Sequence, residues 1–170
     1  LKHRDVLVEA CTGSGKTLAF VIPLIDMILR REYPLKARQV GAIVVSPTRE
    51  LARQTHAVCA HFSASSDGLI PPPLLLTGGV PVATDLEAVA MAKAGVPVLI
   101  ATPGRLDDLL GRYDVFDLRE LESLILDEAD TLLALGFSTT LSSILSRLPK
   151  NRRTGLFSAT QTTQVKDLAR

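Results

Sequence analysis

Six apolar runs of strand length recur along the chain, at "VLVEA" (6–10), "GAIVV" (41–45), "LLLT" (74–77), "VLIA" (98–101), "SLILD" (123–127) and "TGLFS" (154–158). Together they are rich in Val, Ile and Leu and read as continuous apolar stretches, the pattern of strands buried on both faces. Segments of helical character separate them, over 16–31, 49–63, 82–94, 104–111 and 139–148, and one more follows over 163–170. This alternation predicts an α/β fold with a mostly parallel central sheet and helices on both faces. Pro23 is expected to kink the first helix, since it removes one donor and crowds the preceding turn. "SASSDGLIPPP" (63–73) is a turn-rich connector, because strand and helix patterning resumes directly after it. One domain spanning 1–170 is expected.

Composition narrows what such a domain can do. With 170 residues, 46% hydrophobic and 22% charged, the chain is globular and long enough to bury a core. No apolar run approaches the ~18 residues of a membrane span, and "LAFVIPLI" is broken by Pro23. The opening "LKHRDVLVEA" does not read as a signal peptide. Cys11 and Cys59 are too few for a disulfide framework and lack metal-ligand spacing, so a reducing intracellular compartment is expected. His3, His56 and His61 form no ligand cluster in the sequence. Net charge is +1, from 19 Lys and Arg against 18 Asp and Glu. Binding to nucleic acid would therefore depend on a few placed groups and not on bulk charge.

The stretch "EACTGSGKTLAF" (9–20) has the order strand, tight turn, helix. That order gathers backbone N–H groups and a helix N-terminus around one anion-sized space. Gly13 and Gly15 permit positive φ, and with Thr12 and Ser14 they form the loop that would approach phosphate oxygens. Lys16 would reach the β and γ phosphates, and the Thr17 hydroxyl would ligate Mg²⁺. Ala10 stands where the strict pattern has glycine, at a strand end where small size matters most. The plainer alternative is a glycine-rich turn with a surface lysine.

A phosphate cradle also needs an acid for the metal. In "LESLILDEAD" an apolar strand ends at Asp127, followed by Glu128. Ligand-facing residues emerge at the carboxyl ends of parallel strands. Asp127 is the candidate for holding Mg²⁺, largely through bound water. Glu128 is the candidate for orienting or activating an attacking water. Two acids capping a following helix is the bland reading, and the upstream loop weighs against it.

"DEAD" (127–130) together with "ACTGSGKT" resembles the DEAD-box family of ATP-dependent RNA helicases. Four more motifs of that family's first RecA-like domain stand in its order: "PTRELA" (47–52), "GG" (78–79), "TPGR" (102–105) and "SAT" (158–160). A turn, hinge, cap or strand end explains each one locally. All six in order, each after a strand-like run, span almost the whole chain. The resemblance implies a RecA-like P-loop NTPase domain with ATP and Mg²⁺ as cofactors. Lys16, Asp127 and Glu128 are its implied catalytic set, with Thr17 and Asp127 at the metal. Asp130, Ser158 and Thr160 are implied to link the nucleotide site to the RNA-bound state. Pro47, Thr48, Arg49, Gly79, Thr102, Gly104 and Arg105 are implied to contact the RNA sugar–phosphate backbone, which positions a strand without reading sequence. Only 4% of residues are aromatic, none interleaved with basic ones for base stacking.

"RRTGLFSATQT" and "QVGAIVVSPTRELARQ" are similar to the eukaryotic subgroup that assists large ribosomal subunit assembly in the nucleolus. That likeness implies pre-ribosomal particles as partners. "KNRR" (150–153) reads as a solvated basic turn before a strand, with contact to RNA or a protein as the sharper alternative. Two other functions stay open on the sequence alone: an RNA-binding scaffold that has lost ATPase activity, and another P-loop ATPase acting on DNA.

The family's upstream adenine-reading segment and its second RecA-like domain are expected to lie outside this chain. A charge-stabilising arginine supplied across an interface is worth ~10³–10⁵ in rate. The 170-residue chain alone is therefore expected to bind ATP or ADP weakly and to hydrolyse almost none. Steady-state ATPase assays on it and on the complete protein check this, and comparable turnover would overturn it.

Overall fold

The apolar runs become strands because each has a helical layer on either side to receive its side chains. The computed structural model describes residues 5–11, 13–160 and 165. Its strands are β1 (Val6–Glu9), β2 (Val40–Val45), β3 (Leu74–Leu76), β4 (Val96–Ala101), β5 (Ser123–Leu126) and β6 (Arg153–Ser158). Helices are α1 (Lys16–Leu29), α2 (Arg49–Ala64), α3 (Val82–Met91), α4 (Pro103–Arg112), α5 (Ala129–Ala134) and α6 (Ser138–Arg147). Pro23 lies inside α1, which continues past it. The short α5 was not anticipated; the helix expected over 163–170 lies outside the described residues apart from Val165, and so does Thr12 of the loop. Among the described residues no helix is long and apolar enough to cross a membrane.

The strands form one six-stranded sheet in the order β1-β6-β5-β2-β4-β3, and every pairing is parallel. From β1 the chain moves past β6 and β5 to β2, then past β4 to β3, and then returns through β4 and β5 to β6. Right-handed crossovers put helices of the outward and return legs on opposite faces. The two cores follow that rule. Phe20, Val21 and Leu24 of α1 and Ala52 and Cys59 of α2 pack on Ala42, Val44, Ile100 and Phe157. Leu106 and Leu109 of α4, Leu132 of α5, and Leu141 and Ile144 of α6 pack on Ile43, Val45, Leu99, Leu126 and Leu156. Successive residues of one strand thus serve opposite layers, which is why all six positions of β2 and of β4 are buried.

Reversal of the chain at β3 brings the carboxyl ends of β1, β6 and β5 side by side. Loops after these strands share one edge of the sheet, where open α/β folds bind ligands. The "KNRR" segment lies elsewhere: Lys150 and Asn151 are exposed in a turn, and Arg153 opens β6.

Gly41 shows how tightly the central strand is held. A Cβ there would stand 2.7 Å from Ile28 Cδ1 and 2.9 Å from the Pro97 carbonyl oxygen. The backbone oxygen cannot yield cheaply. Gly41→Ala is expected to lower the unfolding free energy by about 1–3 kcal/mol, the usual cost of overpacking, as read from urea denaturation.

Candidate functional site

The loop after β1 is closed by Ser14, whose N–H and hydroxyl both donate to the Cys11 carbonyl, at 3.3 and 2.6 Å. Gly13 and Gly15 take φ of 80° and 86°, a region costly for residues with a Cβ. No atom lies within 4 Å of where a Cβ would stand at either, so the space over the loop is open. Gly15 is the N-cap of α1 and no side chain caps it. The first N–H groups of a 14-residue helix are therefore left facing the loop. Lys16 begins the helix, and its ammonium is buried with no hydrogen-bond partner among the described residues. Thr17 follows on the first turn, half-buried.

Asp127 arrives from β5. Its N–H donates to the Val45 carbonyl at 2.9 Å, and the residue is only 5% exposed. Burial and the neighbouring Glu128 carboxylate push its carboxyl up to about 6, against the opposing pull of Lys16 and the Glu128 N–H. The loop lysine and the strand-end acid thus share one electrostatic environment. Glu128 has φ 49° and ψ 55°, a left-handed conformation that costs a non-glycine residue roughly 1–2 kcal/mol. That sharp turn separates β5 from α5 and sets Glu128 apart from the buried acid.

β6 lies between these two elements and carries the third motif. The Ala10 N–H donates to the Ser158 carbonyl at 3.0 Å. Ser158 Oγ donates to the Thr160 carbonyl at 2.6 Å, and Thr160 Oγ1 donates to Asp130 Oδ2 at 2.9 Å. Burial raises the Asp130 carboxyl, but hydrogen bonds from Thr160, the Thr131 N–H and Ser158 outweigh it and hold the group below its ordinary range. Asp130, Ser158 and Thr160 are joined.

These groups fit a nucleotide triphosphate. A partnerless buried cation, uncapped helical N–H groups and open space over two glycines are all complementary to phosphate. Among the described residues no three His, Cys, Asp or Glu side chains cluster to hold a metal by themselves. A cation here would rely on Asp127, the Thr17 hydroxyl, phosphate oxygens and water.

A second site opens further along the same edge. Pro47, Thr48, Arg49, Gly78, Thr102, Gly104, Arg105 and Phe137 line a groove of about 580 Å³, together with the acids Glu50 and Asp108. Two helices start here. Thr48 caps α2, its Oγ1 accepting from the Leu51 N–H at 3.3 Å. Thr102 is the N-cap of α4 without a side-chain cap bond, Pro103 follows it, and Gly104 has open space beside it. Gly79, at φ 92°, abuts Arg49: a Cβ there would lie 2.7 Å from Arg49 Cζ.

Arg105 is turned inward. Its guanidinium pairs with Asp85 of α3 and donates to the Val80 carbonyl at 2.7 Å; the Arg105 and Asp85 side chains are 9% and 7% exposed. Burial raises the Asp85 carboxyl, outweighing the opposing hydrogen bond and charge of Arg105. Asp85 was not anticipated, since nothing local in "VATDLEAV" signals a partner twenty residues away.

An all-parallel sheet with a phosphate-type loop after its first strand, an acid after β5 and a strand between them defines a P-loop nucleotide-binding domain. A profile of the family described as "DEAD/DEAH box helicase" matches residues 1–168. The chain belongs to that family. It is 49% identical over 170 residues to DEAD-box ATP-dependent RNA helicase 18 of Oryza sativa subsp. japonica, covering 100% of this chain and 26% of that protein. It is 50% identical over 175 residues to ATP-dependent RNA helicase DDX55 of Gallus gallus, covering 100% of this chain and 29% of that one. The chain thus spans well under half the length of the curated relatives it matches. The crystal structure of the yeast DEAD-box splicing factor Prp28 superposes with a TM-score of 0.84 at 32% identity, over 98% of this chain and 38% of that one. The domain is RecA-like.

Asp127 is costly to the ligand-free fold. Between its ordinary value of 3.8 and about 6, the folded protein keeps a proton that the unfolded chain releases. Stability therefore falls as pH rises through that window and stays lowered above it. At 1.36 kcal/mol per pKa unit the effect reaches roughly 3 kcal/mol at most. Asp127→Asn is expected to raise the melting temperature of the ligand-free domain at pH 7.5, with a smaller gain at pH 5. It is also expected to weaken Mg²⁺-dependent nucleotide binding. Thermal melts at the two pH values check this, and a lowered melting temperature at pH 7.5 would refute it.

Proposed function

We propose that this domain binds Mg²⁺–ATP between the Gly13–Thr17 loop and Asp127, and that the complete protein is an RNA-stimulated ATPase that locally unwinds or remodels RNA duplexes or RNA–protein particles. The observation that carries the reading is the buried ammonium of Lys16, without a hydrogen-bond partner among the described residues, at an uncapped helix start and within electrostatic reach of a desolvated carboxyl. Lys16 binds phosphate oxygens, and the N–H groups at the start of α1 orient them. Thr17 and Asp127 hold the cation, which supplies charge neutralisation across the phosphates when bound. Glu128, set apart by its left-handed turn, orients the attacking water and accepts its proton. The Thr160–Asp130 hydrogen bond ties the segment that follows β6 to α5, which suits a coupling role for Asp130, Ser158 and Thr160.

The groove holds single-stranded RNA by its backbone. Helix N-termini at α2 and α4, hydroxyls of Thr48 and Thr102, and the Arg49 guanidinium offer donors to phosphate and none is set to read a base edge. Arg105 acts through Asp85 and Val80, holding the segment that carries Gly79 against Arg49. A second RecA-like domain completes the nucleotide site. The likeness of "RRTGLFSATQT" and "QVGAIVVSPTRELARQ" to ribosome-assembly members supports pre-ribosomal particles as partners and a nucleolar location.

ATP turnover of the complete protein, measured alone, with single-stranded RNA and with DNA of the same sequence, tests this. RNA is expected to stimulate and DNA not. Glu128→Gln is expected to lower turnover about 10²–10⁴-fold while nucleotide affinity stays within a few-fold. Absence of RNA stimulation would defeat the proposal.

A further inference from the structure

The carboxyl edge of the sheet carries a polar row that runs from one site to the other. Leu126, Val45, Ala101 and Leu76 are register neighbours on β5, β2, β4 and β3, and all four enter the core on the α4–α6 side. The ladder continues one residue further. The Asp127 N–H donates to Val45 at 2.9 Å, the Ser46 N–H to Ala101 at 3.0 Å, and the Thr102 N–H to Leu76 at 3.1 Å. Side chains alternate along a strand, so Asp127, Ser46, Thr102 and Thr77 stand in one row toward the α1–α2 side. With strands about 4.8 Å apart, Ser46 is one step from Asp127 and one from Thr102, which are about 10 Å from each other.

Ser46 is 0% exposed, and its hydroxyl has no hydrogen-bond partner among the described residues. Buried hydroxyls are nearly always paired. One kept unpaired at the junction of two ligand sites points to a second arrangement in which it is paired. The row supplies the partner: an ionised Asp127 is purely an acceptor, and the Ser46 O–H can donate. Ser46 is also the residue directly before Pro47, Thr48 and Arg49 of the groove.

We propose that Ser46 is a positioning residue that couples the two sites. With both ligands bound, its hydroxyl donates to the Asp127 carboxylate and fixes the end of β2, from which Pro47–Arg49 enter the groove. The unpaired hydroxyl burdens the ligand-free protein and is relieved only when both sites are filled, so each ligand tightens the other. Ser46 touches neither ligand. This rests on the reading that Asp127 serves the nucleotide and the groove serves RNA.

The test measures affinity of the complete protein for a single-stranded RNA oligonucleotide, with and without a non-hydrolysable ATP analogue and Mg²⁺. Ser46→Ala is expected to shrink the factor by which nucleotide tightens RNA binding by about fivefold or more. Each ligand alone should bind within about twofold of wild type. The ligand-free melting temperature should not fall, because alanine removes an unpaired group. Ser46→Thr, which keeps the donor, should retain the coupling. Wild-type coupling in Ser46→Ala, a lowered ligand-free melting temperature in that variant, or equal loss in both variants overturns the role of Ser46 alone. A wild-type protein with no coupling at all overturns the two-site reading and this inference with it.

Discussion

The 3.0 Å hydrogen bond from the Ala10 N–H to the Ser158 carbonyl closes the ladder from which the site hangs. β1 and β5 never meet; β6 lies between them and sets their distance. Its register is Val8↔Phe157 on one side and Leu126↔Leu156 on the other, with Gly155 to Ser158 all buried. The phosphate-type loop and the acid at Asp127 are therefore positioned by one shared strand. Two residues past the end of that strand stands Thr160, whose hydroxyl reaches Asp130. A displacement of β6 would move the loop, the acid and the link between them together.

The groups at this edge are individually unfavourable in the ligand-free fold. The Lys16 ammonium is buried with no hydrogen-bond partner among the described residues, Asp127 is desolvated beside a second carboxylate, and Glu128 occupies a left-handed conformation. Each term lies in the range of one to a few kcal/mol, a sizeable share of the net stability of an ordinary domain. Two layers of aliphatic packing on a fully buried β2 and β4 offset them. A bound polyanion and cation would relieve the first two at once, so the strain becomes binding energy.

How much of this was legible in the sequence depends on how local each feature is. The six strands were visible because burial on both faces leaves uninterrupted aliphatic runs, and their ends shifted by a residue or two where caps decide. The nucleotide loop and the acids were visible because their chemistry is written in adjacent residues. The order of the strands was not, since it follows from contacts between distant segments. α5 went unseen because six residues hold too little of a helical period. Arg105 read as a groove cation, and its pairing with Asp85 could not be read from a separation of twenty residues. Ser46 fell between the strand read over 41–45 and the motif at 47–52; only the register of β2 between β5 and β4 reveals what stands beside it.

The near-neutral charge of the chain follows the same logic as its groove. A net charge of +1 leaves little general attraction for a polyanion. Asp85 holds the Arg105 guanidinium inward, and Arg49 remains exposed against Gly79. Glu50 and Asp108 also line the groove, paired with Arg53 and Arg112, so what it otherwise offers an anion is dipolar: the starts of α2 and α4, the second with no side-chain cap. Such donors act within about one turn of the helix end, so they demand a backbone in register with both helices. A nucleic-acid strand held this way would be selected by its geometry and not by its sequence. Tilting either helix would spoil the fit, and both helices are anchored at strand ends, β2 and β4, that adjoin each other and lie one and two strands from the acid. Occupancy of one site and of the other would thus draw on the same few strand ends, among them the end of β2 that carries Ser46.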